Sequence, residues 1–236
     1  GSVKTGSGTH TWTVNDTAAA ASHSLTIYVF RGEAGKCDRY AGCKINSMTI
    51  SMDAGAPAEM SIDFIGRDIS QGVTKAVGSM PGVPRVFAKG SAATVGLDMG
   101  FSGVAQSPVY SFSYTINNNL EERSSLNAQT ILEPPFGMVE VTAEAEIEYN
   151  SDSKVLLSTD WLSTGPTVAT RAVTYTAIHS ATYEMILHLQ SAHLVGLSGP
   201  NNTGYGASTM TASMRGYADD AGTTPPGKIV IKTDSI

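Results

Sequence analysis

The stretch from Ser107 to Tyr149 decides the fold; it begins S-P-V-Y-S-F-S-Y-T-I-N-N-N-L-E-E-R and ends M-V-E-V-T-A-E-A-E-I-E-Y. In its first part, apolar side chains alternate with Ser and Thr at Tyr110, Phe112, Tyr114 and Ile116. Successive side chains of a β-strand point to opposite faces, so this part predicts a strand with one apolar face. The second part alternates more regularly, with apolar residues at every odd position from Val139 to Tyr149.

The second of these strands carries a row of carboxylates. Its polar face holds Glu140, Thr142, Glu144, Glu146 and Glu148. Like charges that share a face two residues apart repel each other, so this face must be in contact with water. A solvated outer wall and the aqueous interior of an oligomer both meet that requirement, and alternation alone does not distinguish them.

Three segments of the chain resemble the tail tube proteins of long-tailed bacteriophages. They are S-F-S-Y-T-I-N-N-N-L-E-E at residues 111–122, G-C-K-I-N-S-M-T-I-S-M-D at 42–53 and E-M-S-I-D-F-I-G-R-D at 59–68. The resemblance covers residues 41–163, about half of the chain. It consists of hydrophobic patterns with a few fixed polar residues, and it includes no catalytic signature.

The resemblance implies a structural protein of the phage tail that is assembled in the cytoplasm of the host bacterium. Members of that family form rings, typically hexameric, whose inner strands join into one continuous β-barrel, and the rings stack into a tube that conducts DNA. The implied partners are other copies of the chain, together with tape measure, tail terminator and tail tip or baseplate proteins. Double-stranded DNA would pass through without specific binding. A tube protein of a phage-like contractile injection system is an alternative within the same class.

In a tube of this kind, the acidic strand has a physical role. DNA carries about one negative charge per 1.7 Å of its axis, so a lumen lined with Lys or Arg would bind it. We therefore expect Glu140, Glu144, Glu146 and Glu148 to face the lumen and repel the genome. The alternative, that these four face outwards, stays open at this point.

Composition sets the broad class. The chain has 236 residues and a net charge of −6, and only 15% of its residues are charged. An acidic balance argues against a protein that binds nucleic acid through a basic surface. No run approaches the roughly 18 apolar residues that suggest a membrane helix, so no membrane segment is predicted. No linker composition divides the chain, so a single β domain over residues 1–236 is expected.

The whole chain predicts a mainly β protein, an antiparallel sandwich or barrel of roughly ten strands with one short helix and long loops. Beside the two central strands, strands are expected at 10–14, 24–30, 43–53, 60–65, within 171–197, at 208–217 and at 228–232. The helix is expected at 153–163, with Asp152 or Ser153 as its N-cap. A long Gly- and Pro-rich loop is expected over 68–105, containing a short strand at 95–99, and turns are expected at 197–207.

The two cysteines, Cys37 and Cys43, flank a predicted short loop, K-C-D-R-Y-A-G-C-K. Two interpretations remain open: reduced thiols without a chemical role, and a disulfide across the loop. A metal site needs more ligands than this segment offers.

The sequence predicts no catalytic site, no cofactor and no metal. Glu144, Glu146 and Glu148 stand in a row with nothing to differentiate their surroundings, whereas an acid and a base need different environments. His179, His188 and His193 form neither an H-x-H pair nor an HExxH helix. The nucleophile signature G-x-S-x-G and the phosphate-loop signature GxxxxGK[ST] do not occur in the sequence.

An alternative from another class is a monomeric β-sandwich that binds a ligand, such as a carbohydrate-binding or adhesin-like module. Such a module would expose aromatic side chains in a cleft. Tyr110, Phe112 and Tyr114 alternate with Ser and Thr and have no basic neighbours, so they are predicted to lie in the core.

Overall fold

The computed structural model describes residues 8–13, 24–32, 35–76, 96–98, 108–125, 128–132, 137–151, 153–154, 171–180, 183–201, 208–217 and 225–233. Fourteen strands lie in these ranges: β1 Gly8–Thr13, β2 Leu25–Phe30, β3 Lys36–Asp53, β4 Glu59–Ile65, β5 Asp68–Thr74, β6 Gly96–Asp98, β7 Val109–Asn117, β8 Arg123–Ser125, β9 Ala128–Leu132, β10 Glu140–Glu148, β11 Arg171–Ser180, β12 Tyr183–Asn201, β13 Thr209–Gly216 and β14 Gly227–Thr233. Every pairing among them is antiparallel. The predicted mainly β, antiparallel class is confirmed, with more strands than the sequence indicated.

Twelve strands form one sheet that folds over on itself. The main strand order is β1-β14-β12-β13-β10-β7-β3-β2, with β4, β5, β6 and β11 attached beside it and β8-β9 forming a separate ribbon. β7 and β11 are not neighbours in this order, yet the rings of Phe112 and Tyr175 stack with their centroids 4.3 Å apart. The sheet therefore has two layers that face each other. Within the described residues its end strands, β1 and β2, do not pair, so the fold is an open sandwich and not a closed barrel.

The strand β12 passes from one layer to the other. Its residues 184–189 pair with β14, whereas residues 192–201 pair with β13. We call the layer of β4, the second half of β3, β7, β10, β13 and the second half of β12 the front layer. The back layer consists of β6, β11, the first half of β12, β14 and β1.

The core lies between the two layers and follows the predicted alternation. Its fully or nearly fully buried members include Phe112, Tyr114, Val141, Ala143, Ala145, Ile147, Val173, Met185, Leu187, Leu189, Met210, Ala212 and Met214. Burying one large side chain of this kind stabilises the fold by about 1.5–3 kcal/mol. Because β10 places every second residue here, its glutamates must lie on the opposite face.

One aromatic residue departs from the predicted pattern. A β-bulge interrupts the pairing of β7 with β10, so that Glu146 lies opposite Ser111 while Ile147 lies opposite Val109. Val109 packs against the core instead of Tyr110, whose hydroxyl donates a hydrogen bond to Glu148 Oε2 (3.2 Å). The prediction that Tyr110 shares a face with Phe112 and Tyr114 is thus wrong, because the extra residue of the bulge reverses the alternation.

The segment predicted as a loop between the cysteines is part of a long strand. β3 runs without interruption from Lys36 to Asp53, and β5, inside the predicted 68–105 loop, pairs with its first half. β4 pairs with the second half of β3, after a turn at residues 54–58. The strands predicted at 43–53 and 60–65 are confirmed and form a hairpin, and β5 extends the pairing along the first half of β3. The predicted short strand at 95–99 is confirmed as β6, and the rest of that loop lies outside the described residues.

The helix predicted at 153–163 has only its beginning in the described residues. Lys154 N donates to Asn150 O (3.0 Å), which is the first bond of a helical turn. Asn150 Oδ1 accepts from Ser153 N (3.0 Å), and Asn150 N donates to Ser153 Oγ (2.8 Å). These bonds join Asn150 to Ser153 and Lys154. Lys154 is the first helical residue that the structure describes, and Ser153 directly precedes it, which is the N-cap position. The rest of the segment lies outside the described residues, so the helix itself stays a prediction.

The turns predicted at 197–207 begin later than expected. β12 continues to Asn201, because its second half is held by β13 through a pairing that reaches Thr209. Residues 202–207 lie outside the described residues.

The asparagine-rich end of β7 is fixed by a bulge in β3. Asn46 falls out of the register between Ile45 and Ser47. Its carbonyl accepts from Asn118 N (2.8 Å), and its side-chain Oδ1 accepts from Leu120 N (3.0 Å). Asn118 Nδ2 also donates to Ile45 O (2.8 Å). Two of the segments that carry the resemblance are therefore bonded to each other.

Candidate interaction face

The outer side of the front layer is polar across its strands. In register, Glu144 of β10 lies between Ser113 of β7 and Ser213 of β13. Ser51 of β3 lies beyond Ser113, and Glu59 of β4 lies beyond Ser51. The neighbouring rows follow the same pattern, with hydroxyl groups beside carboxylates. Side chains on this side point away from the core.

We call this surface the acidic face; it comprises the outward-pointing residues of 47–53, 59–63, 111–117, 140–148, 193–198 and 209–215. Its carboxylates are Asp53, Glu59, Asp63, Glu140, Glu144, Glu146 and Glu148. Arg215 is the one Lys or Arg within these ranges. Seven acidic groups against one basic group give the face a strongly negative charge.

All four predicted glutamates lie on this face, and their contacts leave most of their charge in place. Glu140 Oε1 forms an ion pair with Arg215 Nε (3.2 Å). Glu144 and Glu148 accept hydrogen bonds from neutral hydroxyls, those of Ser213 (3.5 Å) and Tyr110 (3.2 Å). Desolvation and the neighbouring carboxylates, Glu148 foremost, raise the pKa of Tyr110.

Hydroxyl pairs connect the strands beside the glutamates. Thr49 Oγ1 and Thr115 Oγ1 lie 3.0 Å apart, and Ser47 Oγ donates to Asp63 Oδ2 (2.6 Å). Serine and threonine hydroxyls satisfy one another across a sheet without adding charge. The net charge of the face therefore comes from its carboxylates, apart from Arg215.

Sequence reasoning found the glutamates of β10 but missed the rest of the face. Asp53, Glu59, Asp63 and Arg215 are distant from β10 in the sequence, and only the strand order brings them onto the same surface. A signal was present in the alternation S-M-T-I-S-M-D of β3 and T-A-S-M-R of β13. This alternation shows which residues share a face of each strand, but the strands can be aligned with β10 only when their pairing register is known.

Both cysteines are buried and carry free thiols. The Cys37 thiol donates to Val73 O (3.3 Å) and the Cys43 thiol to Tyr40 O (3.5 Å). Burial raises the pKa of Cys43. β3 is irregular between the two cysteines, since Gly42 has a positive φ of 65° and the pairing with β2 shifts register between Leu25 and Ile27.

The structure does not bring the histidines together. His188 lies in the back layer, where its Nδ1 is 3.0 Å from Thr174 Oγ1, and burial, aided by the charge of Lys228, lowers its pKa. His193 lies on the acidic face, edge-on to the ring of Tyr217. The side chain of His179 lies outside the described part of the chain. Across that part, no group of three or more His, Cys, Asp or Glu is arranged to hold a metal ion.

The fold and this surface define a class of protein: an open-edged antiparallel β-sandwich with one broad acidic face. The part of the chain that the structure describes holds no helix long and apolar enough to cross a membrane.

The sequence matches the phage tail tube protein family over residues 2–218, and the chain belongs to that family. The match extends well beyond the segments that carried the resemblance. A comparison with curated proteins gave no match. Family membership makes the chain a structural component of a phage tail, one that assembles with copies of itself and with other tail proteins.

Proposed function

We propose that the chain forms closed rings, hexameric as in the family it resembles, that stack into a tail tube and conduct DNA into the host cell. It acts as a structural wall and not as a catalyst, and the acidic face lines the lumen. The observation that carries this proposal is the width of the acidic face, which extends over the front layer with a single sign of charge.

The charge of the face suits a channel for DNA. Phosphates at about one charge per 1.7 Å would be held by basic groups, and the genome would stall. Carboxylates repel the phosphates at short range, and salt screens the repulsion beyond about 8–10 Å. The serine and threonine hydroxyls keep the wall wet, so the DNA moves through water and not along a sticky surface.

The other side of the sandwich supports the same orientation. The outward-pointing charged residues in the described part of the back layer include Glu184, Lys228 and Lys232, and Lys232 forms an ion pair with Glu184. An outer wall has no need for a single sign of charge, whereas a DNA channel does. Between the two faces, the front one fits the lumen better.

The proposal is tested by reversing the charge of β10. In phage whose tube protein carries Glu144→Lys, Glu146→Lys and Glu148→Lys, we expect tails of normal length but slow or incomplete release of the genome. The lysine row repeats the like-charge spacing of the wild type, about 7 Å along the strand, so its effect on folding should be small.

The matched control replaces the same three residues with Gln, which removes charge without introducing attraction. Tails that carry the three Gln substitutions should release DNA at close to the wild-type rate. Tail length is checked by electron microscopy and genome release by the fluorescence of a DNA-binding dye. A normal rate of DNA release from tails that carry the three Lys substitutions would contradict the assignment of the acidic face to the lumen.

A further inference from the structure

The first half of β3 belongs to a second, smaller group of strands. Residues 36–43 of β3 pair with β2 on one side and with β5 on the other, and we call this arrangement the small sheet. Its charge is opposite in sign to that of the acidic face. The described residues 24–32, 35–45 and 66–76 hold six basic groups and only two acidic ones: Arg31, Lys36, Arg39, Lys44, Arg67 and Lys75 against Asp38 and Asp68.

One side of the small sheet carries a cluster of basic and aromatic side chains. Residues that lie opposite each other in an antiparallel pair share a face, and Arg39 lies between Tyr28 of β2 and Ser70 of β5. Arg39 Nη2 donates a hydrogen bond to Ser70 Oγ (3.1 Å). Lys75 Nζ lies over the Tyr28 ring, 5.1 Å from its centroid. Two cations are therefore held beside one tyrosine.

The two carboxylates of the small sheet leave these cations uncompensated. Asp38 lies opposite Val29 and points to the other side of the sheet, where its Oδ2 is 2.7 Å from Arg31 Nε. Asp68 lies opposite Ala41, on the same side as Arg39. None of the ion pairs between described residues joins Asp68 to Arg39 or to Lys75. The cluster keeps an excess of positive charge.

The guanidinium of Arg39 also has a donor that the chain does not use. Its Nε is buried and has no hydrogen-bond partner among the described residues. A buried donor on a charged group is costly to leave unpaired, so it calls for an acceptor from outside the chain. A water molecule would satisfy the donor but would leave two positive charges beside Tyr28. An anion satisfies the donor and compensates the charge.

We propose that Arg39, Lys75, Ser70 and Tyr28 form a binding site for a phosphate group, with the Arg39 guanidinium at its centre. Arginine presents its N–H donors in a planar fork that matches phosphate oxygens, and lysine adds a compact positive charge. The bond to Ser70 fixes the orientation of the guanidinium. The site belongs to the single chain and does not depend on the formation of a tube.

Aromatic side chains favour a nucleic acid as the source of the phosphate. Phe30 lies on the same side of the sheet as Tyr28, two residues further along β2, and is 39% exposed. Unpaired bases stack on aromatic rings beside basic groups, whatever their sequence. Free phosphate gains nothing from those rings. In the proposed tube, the site would give the phosphate backbone of the genome a weak attachment point; this consequence, unlike the site, rests on the tube.

Nuclear magnetic resonance of the isotope-labelled full chain tests the site. The Nε–H group of Arg39 gives its own signal, and the backbone amides of Tyr28 and Ser70 report on the same place. Sodium phosphate is titrated at constant ionic strength against sodium chloride. A short single-stranded DNA oligonucleotide is titrated separately in phosphate-free buffer. We expect saturable shifts of all three signals with both ligands, and tighter binding of the oligonucleotide.

Three variants separate the site from general attraction, with the amides of Tyr28 and Ser70 as the readout. Arg39→Gln should weaken phosphate binding about tenfold or more, the loss expected for one charge-assisted hydrogen bond. Lys75→Gln, at an exposed position where folding is not at risk, should weaken it by a smaller factor. Arg67→Gln is the matched control, because it removes the same charge from the small sheet outside the cluster, and it should leave binding unchanged.

The outcomes distinguish the site, its ligand and the tube. Shifts with phosphate but not with the oligonucleotide would keep the phosphate site and overturn nucleic acid as its source. No saturable shift with either ligand would overturn the proposal. Equal losses for Arg39→Gln and Arg67→Gln would also overturn it, because they would show diffuse attraction only. Electron microscopy of the same protein reports on tubes separately, and tubes without phosphate binding would leave the proposed function in place.

Discussion

The side chain of Tyr114 reaches from the front layer to the back layer. Its side chain has no exposed surface, and its hydroxyl donates to His188 O (3.1 Å) in the opposite layer. Gly227 allows this approach, since a Cβ there would collide with the tyrosine hydroxyl and with Val141. Burial raises the pKa of Tyr114, so the hydroxyl keeps its proton and remains a donor.

Replacing Tyr114 with Phe should lower the free energy of unfolding by about 1–2 kcal/mol, because the ring is retained but a buried hydrogen bond is lost. Urea denaturation of the unassembled chain measures the change. The control is Tyr110→Phe, which removes a hydroxyl that donates to the partly exposed Glu148 and should change stability by less than about 0.5 kcal/mol. Equal losses in the two variants would contradict the role given to Tyr114.

The pKa of His188 predicts a loss of stability in mild acid. Burial lowers this pKa below the usual 6.5, so between the folded and unfolded values the unfolded chain binds more protons. The contribution of His188 is complete above pH 6.5 and decreases as the pH falls through the folded value. Unfolding measured at several pH values below 7 should show a weaker pH dependence for His188→Gln than for the wild type. An identical pH dependence would contradict this account.

At the residue scale, the sequence predicted which side chains are buried wherever alternation was unbroken. Phe112, Tyr114 and the odd positions of β10 follow from period 2 alone. Tyr110 does not, because a bulge adds one residue to β7. The sequence pattern gives no signal for that bulge.

The largest gap at the scale of elements is the long hairpin of β3 with β4 and β5. The sequence D-I-S-Q-G-V-T of β5 has little apolar alternation, and Gly72 adopts a positive φ of 65° within it. β5 is extended because β3 supplies its hydrogen-bonding partner, which is a tertiary effect and not a local preference. The same reason explains why the cysteine segment is a strand.

The bond between the β3 bulge and the end of β7 leads to a prediction at this scale. Asn46→Ala removes the acceptor for Leu120 N and should lower the free energy of unfolding by about 1 kcal/mol. Asn119→Gly is the control, because Asn119 has a positive φ of 46° that glycine adopts without strain, and its exposed side chain donates only to Met138 O among the bonds described. Thermal or urea denaturation compares the two. A larger loss for Asn119→Gly would show that the bulge does not hold this turn.

At the scale of the molecule, the acidic face is the feature that sequence reasoning could not assemble. One strand of it was evident, because four glutamates of β10 occur within nine residues. The remaining carboxylates come from β3 and β4, and their position depends on the pairing of β3 with β7 and of β7 with β10, which join segments distant in the sequence.

The central claim concerns assembly, and an electron cryomicroscopy reconstruction of the purified chain at high concentration tests it most directly. The account predicts stacked rings with an open central channel and with β10 facing that channel. A tube whose acidic face points outwards would contradict the lumen assignment. A chain that remains monomeric at every concentration, also with tail tip proteins added, would contradict the tube itself.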